Sequence, residues 1–166
     1  MIEVREAATE SEFNSVRTLV QSFIGWLRQV YPEAQDAFDQ DARAVEADLA
    51  SLPGAYGSPT GKLLVAYSDG EVAGTVALRD MGQRICEMQR MFVEAKFRGQ
   101  GIGRVLATAL INDARALGYR QMWLSTGQRH VAAQGLYRSL GFQDIPAYHG
   151  VPESLRPVVV FMGLRL

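Results

Sequence analysis

Gly99, Gly101 and Gly103 fall at every second position between two runs of different character. Before them, Arg84–Val93 reads as a strand. After them, Leu106, Leu110, Ala114 and Leu117 recur at helical spacing. Glycine costs stability there unless the backbone must admit a neighbour that a Cβ would exclude. The first N–H groups of the following helix have no partner within the helix. With the helix dipole they form an anion site, best suited to a phosphate or pyrophosphate. Arg98 and Arg104 add charge at its rim. A strand, a glycine turn and a helix in this order fit an α/β fold. The spacing is G-x-G-x-G, where a Rossmann loop needs G-x-G-x-x-G in an opening βαβ unit. A Walker loop needs Gly-Lys-Ser/Thr, and here Gly103 precedes Arg104. An ordinary glycine turn, or a nicotinamide-dinucleotide site resting on the glycines alone, are the other readings.

The rest of the chain supplies the layers. Ile2–Ala7 reads as a strand. Thr9 followed by Glu12 is a capping box, and Phe13, Val16, Val20, Phe23, Leu27 and Val30 continue at helical spacing until Pro32. A second helix fits Asp36–Ser51, with Phe38, Ala42, Val45 and Leu49 on one face, and Ala55–Lys62 reads as a loop. Leu63–Tyr67 and Val72–Leu78 flank Asp69-Gly70, a strong hairpin signal. Gly118 caps the helix after the glycine loop, Gln121–Ser125 is a strand, and Val131–Leu140 is a helix capped by Gly141. Phe142 opens a short strand, Pro146–Pro157 is a long loop, and Val158–Leu166 is the last strand. The expected architecture is a single α/β domain over residues 1–166 with a mixed sheet.

Formal net charge is −1, which argues against bulk nucleic-acid binding but leaves room for one local basic pocket. A lone cysteine, Cys86, excludes a disulfide framework and a cysteine-rich metal site, and two distant histidines suggest no metal. The opening MIEVREAATESEF has no apolar signal core, and no run is long enough to span a bilayer. These features point to a reduced, cytoplasmic setting with no membrane partner. A homodimer is left open.

Two motifs together carry a resemblance. Arg98-Gly99-Gln100-Gly101-Ile102-Gly103 fits Arg/Gln-x-x-Gly-x-Gly/Ala, and Ala133-Gln134-Gly135-Leu136-Tyr137-Arg138-Ser139-Leu140-Gly141-Phe142 fits Ala-x-x-Leu-Tyr-x-x-x-Gly-Phe. In this the chain resembles the GCN5-related N-acetyltransferase (GNAT) superfamily, strongly over Arg84–Phe142 and loosely elsewhere. It departs from the family at Ala95, where proline is common, and at His130, where asparagine is common.

The resemblance implies a mostly antiparallel mixed sheet flanked by helices, with acetyl-CoA as co-substrate and no metal. It implies that Arg98, Gly99, Gln100, Gly101, Ile102, Gly103 and Arg104 hold the pyrophosphate. The backbone of Met91, Phe92 and Val93 would pair with pantetheine and polarise the thioester carbonyl. Tyr137 would protonate the departing sulfur, and Glu87 would deprotonate the amine, through water. A glutamate within an apolar strand needs a partner, so a structural ion pair with Arg79, Arg84 or Arg90 is the other reading of Glu87. Cys86 neighbours Glu87, so a strand turns the two to opposite faces and leaves Cys86 a packed thiol. Phe23, Trp26, Tyr31, Tyr56, Tyr148 and His149 are acceptor-side candidates, and Arg79 or Arg90 could hold an acceptor carboxylate. The expected activity is direct acetyl transfer to a primary amine of a small molecule or amino acid. The alternative is a non-catalytic acyl-CoA-binding sensor.

Overall fold

The computed structural model describes residues 1–166. Four helices flank one sheet: β1 Ile2–Glu6, α1 Glu10–Val30, α2 Gln35–Ala50, β2 Lys62–Ser68, β3 Glu71–Asp80, β4 Ile85–Val93, α3 Ile102–Ala116, β5 Gln121–Gly127, α4 Val131–Ser139, β6 Gln143–Asp144 and β7 Val159–Arg165. The spatial order is β1-β2-β3-β4-β5-β7-β6, and every pairing is antiparallel except β4 with β5. The expected order of elements and sheet class are those observed, with ends moved by one or two residues.

Local signals account for the ends. Thr9 accepts the Glu12 N–H while the Glu12 carboxylate takes the Thr9 N–H, closing the capping box at the start of α1. Asp69 and Gly70 both take positive φ, as a tight hairpin between β2 and β3 requires.

Both faces of the sheet are covered, so its central strands are apolar throughout. Leu64 and Ala66 face Leu106 and Leu110 of α3, and Leu63 and Val65 face Val16 and Val20 of α1 and Val45 of α2. Successive residues of β2 thus feed different cores. The same alternation separates Cys86 from Glu87. Cys86 is sealed into the α3-side core, where burial pushes its thiol up to about 12. That thiol is inert, as expected from sequence.

Candidate active site

Two departures from regular sheet geometry create the site. The first is a bulge in β4. Thr75 of β3 pairs with Phe92 and Ala77 with Gln89, so one residue of β3 opposes two of β4. Arg90 sits in the bulge with a φ of 56°, a left-handed conformation that costs about 1–2 kcal/mol for a non-glycine residue. The bulge resets the alternation. Met91 and Val93 pack on the α3 side, while Phe92 turns to Phe23 of α1 at 5.4 Å.

The second departure is the parting of β4 from β5. They pair only over Ile85–Glu87 and Gln121–Trp123. Beyond that point one edge of β4, Met88 to Val93, has no strand beside it. The gap opens into a cleft of about 650 Å³ walled by α1, α2, β4, the glycine loop, β5 and α4. A free strand edge is a template on which an extended molecule can add main-chain-type hydrogen bonds.

The edge leads straight to the glycine loop. Gly101 is the N-cap of α3 at a φ of 83°, and nothing lies within 4 Å of where its Cβ would stand. Gly99, Gly101, Ile102, Gly103 and Arg104 line the cleft with Met91, Phe92 and Val93. Arg98 lines it too, with Nε on the Val93 carbonyl at 3.1 Å and its guanidinium over Trp26 and Phe92. Arg104 bonds Ser139 Oγ of α4 at 2.7 Å. Gln100 alone of this predicted set stays off the cleft wall, its amide turned to the Lys96 carbonyl.

Tyr137 of α4 is buried in the cleft wall, packed on Phe142, and its hydroxyl has no hydrogen-bond partner in the protein. Burial raises its pKa, so the phenol stays protonated at working pH.

His130 lies among Trp26, Tyr31 and Phe23, at ring separations of 4.7, 5.6 and 6.5 Å. Its Nδ1 accepts the Gly127 N–H at 3.2 Å, which assigns the proton to Nε2, and Nε2 is buried without a partner. Burial lowers its pKa from 6.5 to about 4. The unfolded chain therefore binds this proton first. Stability held above pH 6.5 is lost as pH falls toward about 4. Melting temperature followed across that window should fall less steeply in His130→Gln than in the parent. Parallel curves would contradict the assignment.

Glu87 is 2% exposed and does not reach the cleft wall. Arg79 Nε and Nη2 each lie 2.9 Å from its Oε1, and Gln89 Nε2 donates to the same oxygen at 2.6 Å. The Tyr148 hydroxyl donates to Oε2 at 2.6 Å. The ion pair expected as the other reading of Glu87 is thus present, with Arg79 as partner. Tyr148 is wedged between Trp123 and Phe161, and the Ser125 hydroxyl of the cleft wall approaches the same phenol. Of the expected acceptor-side aromatics, Phe23, Trp26 and Tyr31 line the cleft, whereas Tyr56, Tyr148 and His149 do not.

Sequence reasoning missed a polar chain beneath this wall. Tyr56 Oη lies 2.7 Å from both Asp48 Oδ2 and Gln89 Oε1 and shares its one proton between them, and Arg90 Nη2 donates to Asp48 Oδ2 at 2.8 Å. It also missed Asp41, which lines the cleft from α2. One signal was available: Asp41 falls between Phe38 and Ala42 on the apolar face of its helix, where a carboxylate is out of place.

A family model described as the acetyltransferase (GNAT) family matches residues 20–142. The chain belongs to that family. It is 36% identical to an uncharacterised N-acetyltransferase of Schizosaccharomyces pombe over 124 residues, 74% of either chain. It is 37% identical over 106 residues to the N-acetylaspartate synthetase of Homo sapiens, covering 63% of this chain but only 35% of that one. The PaiA N-acetyltransferase of Thermoplasma acidophilum, solved in complex with coenzyme A, has the same fold, with a TM-score of 0.74 at 14% identity over 100% of this chain and 99% of that one. No helix of this GNAT chain is long and apolar enough to cross a membrane.

Proposed function

We propose that this GNAT protein moves an acetyl group from acetyl-CoA to a primary amine by direct transfer in a ternary complex. One observation carries the reading: the free edge of β4 runs into the glycine-capped N-terminus of α3, with Tyr137 in the same wall. The amide-bearing pantetheine arm suits the strand edge, and the pyrophosphate suits the helix terminus. The named N-acetyltransferases among its relatives support the same chemistry.

In the reaction the amine nitrogen bonds to the thioester carbon and the carbon–sulfur bond breaks. Backbone N–H groups near Phe92 and Val93 polarise the carbonyl. The leaving thiolate takes the Tyr137 proton. The amine gives up a proton that passes from Ser125 of the cleft wall through Tyr148 to Glu87, which lies behind both. Tyr137 then takes a proton from solvent and Glu87 returns one to solvent by the same relay, which resets both groups.

Saturable calorimetric binding of acetyl-CoA, with none of NADPH, is expected; the reverse would favour a dinucleotide site. Tyr148→Phe tests the relay, because it leaves the Glu87–Arg79 pair in place. It should lower kcat by about 10–100-fold with acetyl-CoA affinity unchanged. Full kcat at every pH in Tyr148→Phe would rule the relay out.

A further inference from the structure

The α2 side of the cleft holds two charged groups whose valences are unspent. Arg90 and Asp41 both line the cleft, one from the β4 bulge and one from the facing helix. The Arg90 guanidinium gives one N–H to Asp48, its Nε is sealed away from the cleft, and its Nη1 is open and has no partner in the protein. An unpaired N–H of a charged group facing a cleft is a ready donor to an anionic acceptor. Asp41 has no hydrogen bond or ion pair, and it sits on the apolar face of α2 among Phe38, Ala42 and Val45. Burial pushes its carboxyl above the usual range, and Arg90 pulls it part of the way back. Asp48 balances Arg90, so Asp41 leaves this end of the cleft with one negative charge to spare.

A simple cation would answer Asp41 and leave the open Arg90 Nη1 without an acceptor. A simple anion would do the reverse and meet two aspartates. A zwitterion answers both. The left-handed backbone at Arg90 is what brings its side chain to the α2 side next to Gln89, and strain of that kind concentrates at functional positions.

We propose that the acceptor is an amino acid, an amine that carries its own free carboxylate, with Arg90 receiving the carboxylate and Asp41 facing the ammonium. This rests on the acetyl-transfer reading and narrows its acceptor. Arg90 and Asp41 select and orient the acceptor, and the proton leaves the amine by the relay described above.

The test compares amino acids with their carboxamides and with the matching decarboxylated amines, using acetyl-CoA as donor. The parent protein should prefer the free acid by at least about tenfold in kcat/KM, because a site built for a polar group rejects its absence. Arg90→Gln should abolish that preference through KM, with acetyl-CoA affinity unchanged. Asp41→Asn, at a half-buried and unpartnered position, should raise KM for all three amines and keep the carboxylate preference. Equal use of acid and carboxamide by the parent, or a preference surviving in Arg90→Gln, overturns the proposal. Calorimetry of the same compounds against the CoA-bound protein reads the site without turnover. Amino-acid binding lost in Arg90→Gln supports the clamp even if no amine is acetylated, whereas binding of the decarboxylated amine alone refutes it.

Discussion

Tyr137→Phe should lower kcat by about 10²–10³-fold while acetyl-CoA binds as before, the size of effect expected when a positioned acid is removed. The substitution keeps the ring and its packing on Phe142, and removes only a hydroxyl that bonds nothing in the protein. Losing a hydroxyl that opens on the cleft and bonds nothing in the protein leaves no partner stranded. Melting temperature should therefore hold as activity falls, a combination that a folding defect does not produce. Burial raises the phenol pKa, so the group is a full donor throughout the working range. The loss in Tyr137→Phe should accordingly be the same at every pH where the parent is active. An unchanged kcat, or a loss confined to one pH limb, would remove Tyr137 from the chemistry.

Gly101→Ala should weaken acetyl-CoA binding at least about tenfold. Two effects combine there. Forcing alanine into a φ of 83° costs about 1–2 kcal/mol. The added methyl also stands at the mouth of the α3 N-terminus, where the pyrophosphate must approach unpartnered N–H groups. Gly118 separates the two. It lies just beyond the other end of α3 at a φ of 89°, also with open space around its Cβ position, and it is not part of the cleft wall. Gly118→Ala should show a similar loss of stability and no change in acetyl-CoA affinity. If both variants bind acetyl-CoA like the parent, the glycine loop is structural.

The legible parts of the fold were those decided by neighbours in sequence. The Thr9–Glu12 capping box, the Asp69-Gly70 hairpin and the glycine caps each depend on a few adjacent residues, and all are where local rules put them. Strand alternation likewise placed Cys86 and Glu87 on opposite faces, and Cys86 in the core. The site was legible where motif and backbone coincide: the glycines, the β4 edge and Tyr137 line one cleft. The bulge at Arg90 was not, because nothing in Met88–Val93 announces that one residue of β3 will face two of β4. That one-residue insertion turns Phe92 toward α1 and lets Arg90 reach Asp48 from a position 42 residues later in the chain. The surroundings of Glu87 were hidden for the same reason. Arg79 faces it across a strand pair, but Tyr148 reaches it from a loop 61 residues away. Such long-range pairs are set by tertiary packing, which a local reading does not see.

The measurement that bears most directly on acetyl transfer is release of free CoA thiol from acetyl-CoA, with and without a panel of amino acids and simple amines, followed by mass spectrometry of both small molecules and protein. Direct transfer predicts thiol release only when amine is present, a product heavier by one acetyl group, and no acetylated protein. Saturable acetyl-CoA binding with no thiol release for any amine would contradict it and leave an acyl-CoA sensor, while acetylated protein formed before amine is added would replace direct transfer with a two-step route.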